Sequence, residues 1–123
     1  MKPILKSIIS SNVDLTSYVP DDAAFRVLFE LEIGPEDSVG MDIFQLEVCS
    51  LKWLWTNRSR NIDFDSISWG SRPTLIVVDY FFEAIILFIE NYLSEIEGDS
   101  WVEVAGEINN RLAWEFDGYR ESI

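Results

Sequence analysis

Hydrophobic and polar positions alternate from Ala24 to Ile33: Phe25, Val27, Phe29, Leu31 and Ile33 fall on one side, with Arg26, Glu30 and Glu32 on the other beside Leu28. A period of two is that of a strand with one buried face. The alternation returns with Phe44, Leu46 and Val48 on one side and Gln45 and Glu47 on the other. Between the two runs lies GPEDSVG, bounded by Gly34 and Gly40, so the pattern predicts an antiparallel hairpin with a long acidic tip. Ile4 to Ile9 predicts a further strand, although its period is ambiguous. The intervening NVDLTSYVPDD reads as loop, with Pro20 barring regular helix.

Further on, SLKWLWTNRSR (50–60) suggests a short helix, and Asp63 to Gly70 reads as irregular or weakly extended. Pro73 then opens TLIVVD, whose apolar residues point both ways, as expected of an interior strand covered on both faces. From Phe81 to Glu97 a long amphipathic helix is predicted. Phe82, Ile85, Ile86, Phe88, Ile89, Tyr92, Leu93 and Ile96 occupy one broad arc, opposite Glu83, Glu90, Ser94 and Glu97. Gly98 is placed to end it, and Ser100 with Glu103 forms the S-x-x-E box that starts a last helix, with Trp101, Val104, Ala105, Ile108 and Leu112 as its buried stripe. Strands first and helices last give an α+β fold, with two C-terminal helices packed on one face of a mostly antiparallel sheet. A chain of 123 residues is expected to form one domain, spanning 1–123.

Composition narrows the chemistry. With 48% hydrophobic residues the chain can build a core. It has no histidine, which removes the commonest general base and the usual zinc ligand together. A serine nucleophile would need one of three lysines, Lys2, Lys6 or Lys52, and no supporting constellation surrounds any of them. The single cysteine, Cys49, ends a predicted strand and reads as a small buried hydrophobe rather than a nucleophile. Asp63-Phe64-Asp65 opens like a calcium loop, but the sixth position, where glycine is needed, is Ser68, and the twelfth, where glutamate is needed, is Thr74. The Asn57-Arg58-Ser59 sequon has no secretory signal to give it meaning. The greasiest window, Leu75 to Leu93, carries Asp79, Glu83 and Glu90, each costing about 2.5 kcal/mol or more at a bilayer centre. These features imply no catalytic residue, no cofactor and no metal, and a cytoplasmic location.

Charge changes the picture more. There are 22 acidic and 9 basic residues, a net charge of −13. Such a surface repels nucleic acid and anionic lipid and attracts a basic protein. From Pro73 through Asn110 there is no Lys or Arg, while Asp79, Glu83, Glu90, Glu95, Glu97, Asp99, Glu103 and Glu107 are all negative. A second basic-free stretch, Val27 to Leu51, holds Glu30, Glu32, Glu36, Asp37, Asp42 and Glu47. Unbroken acidity can be a solvated face, or a docking face for a cationic partner. Leu87 sits in the polar arc of the long helix, an apolar anchor ringed by acids. The candidate partner-binding residues are therefore Glu83, Leu87, Glu90 and Glu97 on the helix, and Glu36, Asp37 and Asp42 at the hairpin tip. An acidic adaptor or nucleic-acid mimic without one dedicated partner, and a carboxylate-dependent hydrolase, are the competing readings.

The aromatic landmarks are ordered. Tyr18-Val19-Pro20 lies in the first loop; Cys49-Ser50 precedes Lys52-Trp53-Leu54; Trp69-Gly70 precedes Leu75-Ile76-Val77; Trp101 opens the last helix; and Trp114-Glu115-Phe116 is followed by Tyr119. In this order the chain resembles the immunity protein 8 family of bacterial polymorphic-toxin systems, from near Lys2 to Tyr119. It departs at Leu51, where the family pattern has proline. The resemblance implies an α+β protein without enzymatic activity that binds a cognate toxin domain and blocks it. Trp53, Trp101, Trp114 and Phe116 are expected to fill space rather than touch the partner.

Overall fold

The structure, a computed structural model, describes residues 1–58 and 73–116. They form β1 (Pro3–Ile9), β2 (Arg26–Pro35), β3 (Asp42–Ser50), α1 (Leu51–Arg58), β4 (Thr74–Val77), α2 (Phe82–Ser94), α3 (Trp101–Ile108) and β5 (Ala113–Trp114). The stretch from Asp63 to Gly70, including Trp69-Gly70 and the calcium-like run, lies outside the described residues, as do Ser59 and Tyr119.

β2 and β3 pair antiparallel, with Val27 opposite Val48, Phe29 opposite Leu46 and Leu31 opposite Phe44. All six side chains are buried, as the alternation requires. At the tip the two strand ends cross so closely that a Cβ on Gly34 would meet the Gly40 carbonyl oxygen at 2.0 Å, and only glycine fits. The tip is also held down by β1 and the residue before it: the Glu36 amide donates to the Lys2 carbonyl at 2.9 Å, and the Lys6 ammonium donates to the Ser38 carbonyl.

β1 pairs antiparallel with β2, but its register slips between Leu5 and Ser7. Leu5 lies opposite Ile33 and Ile8 opposite Leu31, so this bulge turns two residues three apart toward the same core face. The ambiguous period of residues 4–9 has that cause. β4 and β5 then share one edge of β3: β4 runs parallel beside residues 47–50, and β5 antiparallel beside Phe44 and Gln45. The sheet is mixed and mostly antiparallel.

One expectation is corrected here. β4 is not an interior strand: among the described residues only β3 flanks it, and half-buried Leu75 and Val77 alternate with exposed Thr74 and Ile76.

Among the described residues one core fills one face of the sheet, where the inward side chains of β2 and β3 meet Ile85, Ile89 and Leu93 of α2 and Val104, Ala105 and Ile108 of α3. α2 stops at Ser94, short of the predicted Glu97, because the chain turns at Glu95, whose amide donates to the carbonyls of Leu93 and Tyr92. Ile96 keeps the apolar spacing going but is buried in the connection rather than on the helix. α3 begins as its sequence predicts. The Ser100 hydroxyl accepts from the Glu103 amide at 3.2 Å, and the Glu103 carboxylate reaches back to the Asp99 amide at 2.7 Å. The Tyr92 hydroxyl donates to the Glu107 and Ile108 carbonyls, tying α2 to the end of α3.

Candidate protein-binding surface

α2 lies with Ile85, Ile89 and Leu93 down, so Glu83, Leu87 and Glu90 point away from the core. Leu87 is 58% exposed between the two carboxylates. Glu97 is exposed too, but it belongs to the α2–α3 connection and not to the helical stripe. All eight carboxylates between Pro73 and Asn110 are exposed. Among the described residues the ion pairs are Arg26–Glu47 at 3.5 Å and Lys52–Asp22 at 3.6 Å, and neither involves any of these eight.

The fold brings together two parts of the candidate surface that are far apart in the chain. Glu36 of the hairpin tip and Glu90 of α2 line one depression of about 420 Å³ over the start of β1, where Lys2 is the one cation among the described residues that lines it. Asp37 is exposed beside Glu36 on the tip. Glu36 of the hairpin and Glu90 of the helix therefore border one surface.

Asp42 stands apart from this surface. Its Oδ2 accepts the indole N–H of Trp101 at 2.7 Å and that of Trp114 at 3.0 Å, so one carboxylate joins the start of β3 to α3 and β5. Trp114 stacks on Phe44, with ring centroids 6.4 Å apart and planes 14° apart, and Phe116 meets Trp114 edge-on at 5.8 Å. The Glu115 carboxylate accepts from the Ile43 amide at 2.7 Å. These aromatic landmarks hold the sheet edge to the last helix. Trp53 is likewise half-buried, under the Arg26 guanidinium 5.1 Å from its ring.

Phe88 corrects the predicted arc. It was expected in the buried face of the long helix but is 61% exposed, because β4 is short and α2 packs mainly against β1 among the strands. Phe81 and Val78, in the connection before α2, are exposed as well. These residues escaped the sequence reading. Their signal was the breadth of the apolar arc, wider than one short edge strand can cover.

Nucleophilic chemistry finds no support at Cys49, which is buried at the end of β3. Burial, and then the nearby Glu47 carboxylate, push its thiol up, and only Arg26 opposes them. Among the described residues no three Cys, Asp or Glu side chains gather where they could hold a metal ion, and no helix is long and apolar enough to cross a membrane.

The family model for Immunity protein 8 matches residues 4–119. The chain belongs to that family. No curated protein and no solved structure matches it. As an Immunity protein 8, its role is that of an immunity protein in a toxin system, an inhibitor whose partner is a toxin. The Cys49-Ser50 landmark has a structural reason in this immunity protein. The buried Ser50 hydroxyl accepts the Trp53 amide at 3.0 Å, capping α1, and the Phe25 amide at 3.1 Å, anchoring the chain before β2. Leu51 is the first residue of α1, a position where proline is at home, so the departure there leaves the cap intact.

Proposed function

We propose that this immunity protein neutralises a basic toxin domain, such as a nuclease, by stoichiometric binding in the cytoplasm of the producing cell, occluding the toxin's cationic surface and turning nothing over. The observation that carries the reading is the exposure of all eight carboxylates between Pro73 and Asn110 with no Lys or Arg among them. A helix that only needed solubility would mix signs in i,i+4 pairs. Uncompensated charge of one sign steers an oppositely charged partner and speeds encounter. Glu83, Glu90, Glu97, Glu36 and Asp37 supply the field, and Leu87 supplies a contact that survives once water is expelled. Asp42 serves the surface indirectly, by holding Trp101 and Trp114.

The test is binding to the toxin domain encoded beside the gene, at low and moderate salt. The two proteins should co-purify at 1:1. Glu83→Lys with Glu90→Lys should slow association about tenfold at low salt and flatten its salt dependence, whereas Leu87→Ala should mainly speed dissociation. Parent-like binding and protection by all of these variants, with protection lost on reversing Glu36 and Asp37, would move the site to the hairpin tip.

A further inference from the structure

The flank of α2 that faces β4 carries an apolar furrow separate from the acidic stripe. Val78 and Phe81, where β4 leads into α2, are 75% and 66% exposed, and Phe88 stands on the same side. Two clefts, of about 400 and 540 Å³, adjoin here and share Leu75 and Phe88. The first runs between Val78, Phe81 and Phe88; the second continues past Tyr92 to Leu112. Large apolar side chains gathered along one groove mark a contact surface, whereas single exposed ones do not.

The charges around the furrow identify what fits it. Asp79 lines the first cleft and Glu95 the second, and Asp21 and Asp22 line a depression that also borders Phe81. Arg111, at the far end, is the one cation among the described residues that lines either cleft. A second copy of this chain would bring the same carboxylates and its own net charge of −13 against them. A cationic protein with an apolar segment between lysines or arginines would satisfy both the groove and its rim. We propose that the furrow between β4 and α2 receives such an apolar segment of the basic toxin domain, gripping by apolar burial what the surrounding carboxylates attract. This rests on the neutralisation reading above.

Phe81 and Phe88 are exposed, so their truncation leaves the core intact. The full-length double variant Phe81→Ala/Phe88→Ala, with its fold checked by circular dichroism and thermal melting, should bind the neighbouring toxin domain about 30-fold or more weakly. The loss should lie in faster dissociation and be the same at low and moderate salt, unlike that of the Glu83 and Glu90 reversals. If the parent binds the toxin and the double variant binds it equally well, the furrow proposal is overturned while the neutralisation reading stands. If the parent does not bind the toxin at all, both fall. Sedimentation supplies the remaining outcome: a parent dimer that the double variant dissolves, with toxin binding unchanged, would make a second copy the occupant and overturn the choice of partner.

Discussion

The two flanks of α2 differ in almost every physical respect. Toward β1 and the hairpin tip the helix presents Glu90 and Ser94, over a depression shared with Glu36 and Lys2. Toward β4 it presents Ala84 and Phe88, beside Val78 and Phe81. Charge of the first kind acts at a distance and weakens with salt; apolar surface of the second kind acts only in contact and is indifferent to salt. The origin of the difference lies in the sheet rather than the helix. β1 runs seven residues and supports α2, while β4 runs four and ends, so that among the described residues part of the apolar arc has no strand beneath it. A helix whose apolar arc exceeds the area beneath it can serve core and contact surface at once.

Three measurements test that division, beginning with the largest expected effect. Ile89→Ala, or Phe29→Ala in the same core, should cost about 2 to 5 kcal/mol in denaturant unfolding. Phe88→Ala, one position away on the same helix, should change stability by no more than about 0.5 kcal/mol. Equal losses at positions 88 and 89 would mean that the furrow is core and the two flanks are alike.

A smaller effect is expected on the acidic side. Asp42→Ala removes the acceptor of two indole N–H groups and should cost about 1 to 3 kcal/mol, with a changed near-ultraviolet circular dichroism signal from the tryptophans. Glu36→Lys and Asp37→Lys should leave stability within about 0.5 kcal/mol. If Asp42→Ala melts like the parent, the three hairpin acids are equivalent and all belong to the surface field.

The smallest effect concerns the depression on the other side of Phe81, where Tyr80 donates its hydroxyl to the Leu15 carbonyl at 2.8 Å and packs edge-on against Tyr18 and Phe25. Burial first, and then Tyr18 and Asp14, push its phenol from 10.0 up to about 12. The folded state thus holds this proton more tightly than the unfolded one. The resulting stability is complete below pH about 10 and is lost as pH rises toward 12. Tyr80→Phe should remove that part of the alkaline decline; an identical alkaline profile in the variant would assign the decline to other groups.

Much of the fold was legible because one-sided burial writes itself as alternation. Phe25 to Ile33 and Phe44 to Val48 pair as that pattern predicts, and Ser100 with Glu103 marks the start of α3. The failures have local causes. The bulge near Lys6 hid the period of β1, and Ile96 extended a helical spacing past the end of the helix. In β4 the unbroken apolar run is the same whether a strand is covered on both faces or lies at an edge beside a furrow. The acidic stretches were countable in the sequence, yet the meeting of Glu36 with Glu90 depends on topology. Asp42 gave no local sign of its role, since its two indole partners lie 59 and 72 positions away.

The shared edge of β3 also bears on the order in which the sheet closes during synthesis. Residues 44 and 45 of β3 wait for Ala113 and Trp114, which emerge from the ribosome after every other described strand and helix. Until then a stretch of strand is unpaired on one side, and the Asp42 carboxylate holds one indole instead of two. A ribosome that stalls or terminates before Ala113 releases a chain able to build β1 to β4, α2 and α3 but with that edge open to neighbouring chains. The two-residue strand β5, small as it is, works as a latch on that edge, closed only after α2 and α3 have been made.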